Sequence, residues 1–137
     1  MDARVIAVLA YTAVLAATPA TAQTFPAKTI HLVVPYAAGG TGDIVARVIA
    51  DKLAGALGQS VVVENRPGAS GALGTKSVIS ATADGHTLLM GQTGEVAINQ
   101  HWSKGLGYDP EKDLAPVARC LQHRASSWDV VTGAPGA

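Results

Sequence analysis

One succession constrains this chain more than any other: an apolar strand, a glycine loop and an amphipathic helix that follow each other without a linker. Ile30-His31-Leu32-Val33-Val34 is β-branched and apolar, and Pro35 stops it. Such a run reads as a strand buried on both faces. Tyr36–Asp43 follows as the glycine loop YAAGGTGD. From Asp43 onward Ile44, Val45, Val48, Ile49, Leu53, Ala56 and Leu57 form one apolar stripe at helical spacing, with Gly58 as the stop. Asp43 stands where a carboxylate accepts from the free N–H groups of a first helical turn.

The same alternation continues. Ser60–Glu64 reads as a second strand, Asn65–Gly68 as a turn, and Gly71–Thr82 as a small-residue helix with Leu73, Val78 and Ile79 inward. His86–Gly91 reads as a third strand, Gln92–Glu95 as a loop and Val96–Asn99 as a short helix. Lys104–Pro116 is a polar, proline-bearing surface segment. Strands alternating with helices over short connections imply an α/β fold, a mostly parallel sheet with flanking helices joined by right-handed crossovers. After Arg119 the pattern ends. Residues 120–137 show no period and no clear strand, which leaves an unpatterned tail or a shifted reading frame.

The chain has 137 residues, one domain's worth, and its 48% apolar content is too high for intrinsic disorder. Ten basic residues balance ten acidic ones, which gives no electrostatic footprint for nucleic acid. A single cysteine, Cys120, excludes a disulfide scaffold. Residues 1–22 read as a signal peptide: Arg4, the apolar run Val5–Ala17, then the small-x-small site Ala20-Thr21-Ala22. The apolar run falls short of the ~18–20 residues that span a bilayer. Cleavage would export residues 23–137 without a membrane anchor.

In an open parallel sheet, ligands bind beyond the carboxyl ends of the strands, near helix N-termini. Two loops meet that description, Tyr36–Asp43 and Gln92–Glu95. Each offers main-chain N–H groups flanked by glycine, a setting that favours carboxylate or phosphate. Glu95 would repel an anion there unless it points away. Gly40-Thr41-Gly42-Asp43-Ile44-Val45 lacks the third glycine of a dinucleotide fingerprint, although Glu64 stands at a tolerable distance beyond it. A nucleotide-binding α/β enzyme therefore stays as a weaker alternative. No nucleophile elbow is present, no histidine pair has metal-ligand spacing, and no catalytic residue or cofactor is expected.

The residues also resemble a known family. Phe25-Pro26-Ala27-Lys28-Thr29-Ile30 with Val33–Asp43, Val62–Ala69, Asp84–Leu89, Ala97-Ile98-Asn99, Tyr108-Asp109-Pro110 and Asp113–Val117 are similar to the Bug/TctC family. These are extracytoplasmic solute receptors of tripartite tricarboxylate transporters. The resemblance covers Phe25 to about Arg119. It implies one lobe of a type II periplasmic binding protein over residues 23–119, with the second lobe largely absent. It also implies a periplasmic location, a small organic carboxylate as ligand and membrane subunits of a transporter as partners. By resemblance the ligand contacts fall on Tyr36, Ala38, Gly39, Gly40, Thr41, Asp43, Thr93 and Gly94. Two departures stand out: Ala38 replaces a proline common in the first loop, and Glu95 enters a loop that is usually small and hydroxylated. A truncated, impaired receptor is the expectation, with a small secreted fragment that binds nothing as the alternative.

Overall fold

A computed structural model describes residues 24–103, 105–123 and 126–135. The signal-peptide reading of residues 1–22 lies outside them. The elements are β1 (Ile30–Val34), α1 (Thr41–Leu57), β2 (Val61–Asn65), a tight turn at Ala69–Gly71 leading into α2 (Ala72–Ile79), and β3 (Thr87–Gln92). A widened helical turn, Gly94–Ile98, continues into α3 (Asn99–Trp102), and α4 (Pro110–Asp113) precedes β4 (Leu114–His123) and β5 (Ser126–Gly133). The five strands form one sheet in the order β2-β1-β3-β5-β4. β2, β1 and β3 run parallel; β5 joins β3 antiparallel, and β4 pairs with β5 antiparallel.

β1 is central and buried on both faces, as its unbroken apolar run implies. Ile30, Leu32 and Val34 face one core with Ala46 and Ala50 of α1, Leu88, Met90, Trp128 and Val130. Val33 faces the other, with Val78, Leu89, Leu114 and Val131. Side-chain alternation along the strand thus builds two layers from one element. Among the described residues, no helix is long and apolar enough to cross a membrane.

Three expectations need correction. Residues 120–133 are not without strands: Cys120 lies in β4, and β5 fills the next place in the sheet. On α1 Val45, Ile49, Leu53 and Leu57 of the expected stripe pack against the core, but Ile44, Val48 and Ala56 are exposed, and the fully buried positions are Gly42, Asp43, Ala46 and Ala50. Small residues at these positions let the helix lie close to the sheet, and Asp43 must face inward to reach its partners. Leu73 is also exposed, packing against Gly68 instead of the core.

Candidate functional site

Because β1 and β3 are parallel neighbours, their carboxyl ends open on the same sheet edge. The two glycine-flanked loops therefore meet. The Tyr36 hydroxyl reaches across, 3.1 Å from Gln92 Oε1, and donates to the Glu95 carboxylate. Beside this tie lies a cleft of about 450 Å³. Tyr36, Gly40, Thr41 and Gly42 line it from the first loop, Gln92 from the second, and Leu121 and Trp128 from the β4–β5 hairpin.

The first loop owes its shape to a carboxylate that bends back. Asp43 accepts from the Gly39 N–H at 2.9 Å, from Arg47 Nε at 3.1 Å and from Asn65 Nδ2 at 3.0 Å. Arg47 and the Gly39 N–H hold its carboxyl down at about 2, below the usual carboxylate value. Asn65 also donates to the Tyr36 carbonyl at 3.2 Å. The helix itself starts at Gly40, which has no side chain to cap it. Its first turn therefore has no side-chain cap, and Thr41 and Gly42, which open it, line the cleft.

The second loop folds its acid inward. Glu95 is 1% exposed and is not part of the cleft's lining. It accepts from the Gln92 N–H at 2.9 Å as well as from Tyr36, and the Tyr108 hydroxyl donates to its carbonyl at 3.2 Å. Burial and the Glu95 carboxylate together push the Tyr36 phenol far above its usual range. Gly71 makes room for this acid: with φ at +88°, a side chain on it would run into Glu95. The Thr93 hydroxyl accepts from the Ser127 N–H at 2.9 Å, docking the loop onto β5.

Of the residues expected to touch ligand, Tyr36, Gly40 and Thr41 line the cleft. The Gly39 N–H is already taken by Asp43, and Asp43 is buried beneath the loop. Ala38, Thr93 and Gly94 lie on the same sheet edge but outside the cleft's lining. Gln92 opens the second loop expected at the site, whereas sequence reasoning missed Asn65, Leu121 and Trp128. Asn65 ends the strand beside β1, so parallel pairing alone could have placed it under the first loop. Nothing local marks Trp128. The Glu64 carboxylate, the one acid that suited a dinucleotide site, is occupied by Arg66 at 2.7 Å and His31 at 2.6 Å.

The open α/β sheet with two strand exits at one edge has the fold of a lobe of a periplasmic binding protein: it is similar to the periplasmic binding protein BugD, with a TM-score of 0.65 at 38% identity over 69% of this chain and 31% of that one. Within that class the chain belongs to the tripartite tricarboxylate transporter receptor family. The family model described as TctC, tripartite tricarboxylate transporter family receptor, matches residues 45–132. Protein BugT of Bordetella pertussis (strain Tohama I) is 41% identical over 115 residues, 83% of this chain and 35% of that protein. MatC from Rhodopseudomonas palustris, solved with bound malate, has a TM-score of 0.68 at 43% identity over 70% of this chain and 33% of its own. Another R. palustris structure, with adipate, has a TM-score of 0.67 at 41% identity, covering 69% of this chain and 32% of its own. The chain spans about a third of the length of the curated relatives it matches, 30% and 35% in two of them.

Proposed function

We propose that this chain holds a small organic carboxylate outside the cytoplasm, for delivery to the membrane subunits of a tripartite tricarboxylate-type transporter. The observation that carries the reading is the shared cleft, where two strand exits are tied together by Tyr36. A ligand carboxylate would accept from the N–H groups of Thr41 and Gly42 and from the Thr41 hydroxyl, with the Gln92 side-chain amide alongside. An uncapped helix start favours such an anion through both its N–H groups and its dipole. The malate and adipate of the two related structures support the acid class. Residues 1–22 would direct export, and lobe closure would present the loaded receptor. A ligand held only at this sheet edge stays half solvated, which corresponds to a Kd on the order of mM.

Calorimetric titration with malate and adipate, beside NAD and ATP, tests the reading. Heat with an acid and none with a nucleotide is the expected result; the reverse overturns it. Thr41→Pro sharpens the test. Gly40 sits at φ −78° and ψ 169°, which suits the residue before a proline, and the first helical position tolerates proline. The variant keeps the helix, removes one amide and one hydroxyl, and should weaken acid binding about tenfold. A second reading, a small exported α/β protein without a ligand, is favoured by the exposed apolar Ile44, Val48, Val117 and Leu121. It predicts no heat with any acid.

A further inference from the structure

The cleft has two chemically different ends. At one, Gly40, Thr41 and Gly42 carry main-chain N–H groups and a hydroxyl. At the other, Trp128 and Leu121 pair across the hairpin and present a ring and a branched alkyl side chain. We infer that Trp128 makes this cleft select an organic acid with one carboxylate on an apolar, ring-sized body over a dicarboxylate, an inference that rests on the carboxylate reading above.

Trp128 is a fixed wall. It is 8% exposed, and its Cη2 lies 2.5 Å from where a Gly42 side chain would begin, so the ring occupies the space that glycine leaves. Tyr36 meets it edge-on, with ring centroids 5.7 Å apart and planes at 72°. Such geometry keeps both rings in place and leaves an aromatic surface beside the amide end. Among the described residues, none that lines the cleft is charged. Among the described residues, the cations near it are paired with acids: Arg47 with Asp43 at 3.0 Å, and Arg119 with Asp129 at 3.1 Å. A ligand's first carboxylate finds N–H donors. Its second, a few ångströms away, would lie against Trp128 and Leu121 and lose hydration without a partner. An apolar ring in the same place would instead lose contact with water, which favours binding. A cleft of about 450 Å³ accommodates a ligand of this size.

Benzoate and succinate are the probes. The full chain carrying Trp102→Phe leaves Trp128 as the sole tryptophan, because the 87%-exposed Trp102 is the only other. Titration followed by Trp128 emission and by calorimetry should give benzoate an affinity on the order of tenfold above that of succinate. Leu121→Lys, at a position 47% exposed, places a cation on the far wall without disturbing the core and should reverse the preference. Trp128→Leu should weaken benzoate and leave succinate unchanged. Succinate binding as tightly as benzoate to the parent chain overturns the inference and leaves the carboxylate reading intact. So does a benzoate preference that Leu121→Lys leaves unmoved. Heat with neither probe nor with malate or adipate removes the carboxylate reading, and this inference with it.

Discussion

The two strand exits are built on the same device with different chemistry. At the first, a carboxylate bends back four residues to accept from the Gly39 N–H at 2.9 Å. At the second, a carboxylate bends back three residues to accept from the Gln92 N–H, also at 2.9 Å. Asp43 completes its shell with a guanidinium, Arg47, and Glu95 with a phenol, Tyr36. The first exit is thus self-contained, its groups drawn from its own loop, its own helix and the end of β2. The second depends on the first, because its acid is satisfied only when Tyr36 is in place. In this edge, order passes from the first loop to the second.

The bed under Glu95 is the point where this comparison breaks most sharply. Gly71→Ala forces a side chain onto φ +88° and into Glu95. Strain and overpacking together should destabilise by about 3 kcal/mol in urea unfolding. Gly58→Ala, at φ +65° with open space around it, is the matched control and should lose about 1 kcal/mol. Equal losses would mean that Glu95 is not wedged against Gly71. Next in size is Glu95→Ala. It leaves the part-buried Gln92 N–H without its acceptor and the Tyr36 hydroxyl with Gln92 Oε1 alone, and should lose about 2 kcal/mol. Glu95→Gln should be milder. Its oxygen can face the Gln92 N–H while its amide donates to Tyr36, whose own proton turns to Gln92 Oε1 at 3.1 Å. Tyr36→Phe comes third, at about 1 kcal/mol, since Glu95 keeps the Gln92 N–H. Combined with Glu95→Gln, it should fall short of additivity in a double-mutant cycle, because the two groups share one bond.

The parallel half of the molecule was legible, and the hairpin was not. β1 spans Ile30–Val34 as its apolar run implies, and β3 lies one residue beyond the expected strand. Both are strongly hydrophobic and bounded by proline or glycine. β5 carries the same information in unreadable form. Val130 faces one core and Val131 the other, so a strand buried on both faces shows no alternation, and Ser126-Ser127 and Asp129 dilute its apolar run. β4 is interrupted by register shifts between Pro116 and Ala118 and between Arg119 and Leu121, which destroy a period of two. The site divides in the same way. Gly40 and Thr41 follow from a strand that runs straight into a helix. Trp128 reaches Gly42 only through the sheet order, a nonlocal fact that no window of sequence contains.

The smallest effect separates the two acids by charge. Asp43 sits at about 2 in the fold against an ordinary 3.8, with Arg47 the leading cause. A depressed carboxyl stabilises the fold above its unfolded value, and that contribution is lost as pH falls through the folded one. Asp43→Asn should therefore lower the urea midpoint at pH 7, where the parent carboxylate is charged. The gap should stay constant down to about pH 5, narrow below that, and close as pH falls through about 2, where the folded parent takes up its proton. Its size should remain below that of Tyr36→Phe, since the Arg47 side chain is 56% exposed and solvent screens the pair. Raising the salt concentration should narrow the gap at neutral pH, whereas the Glu95→Gln difference should not move, because a phenol and an amide, not a cation, face that acid. A salt response in Glu95→Gln as large as in Asp43→Asn would erase the distinction between the exits. The second loop would then be held by charge, and Tyr36 would lose its role as the link that makes one loop's order the condition for the other's.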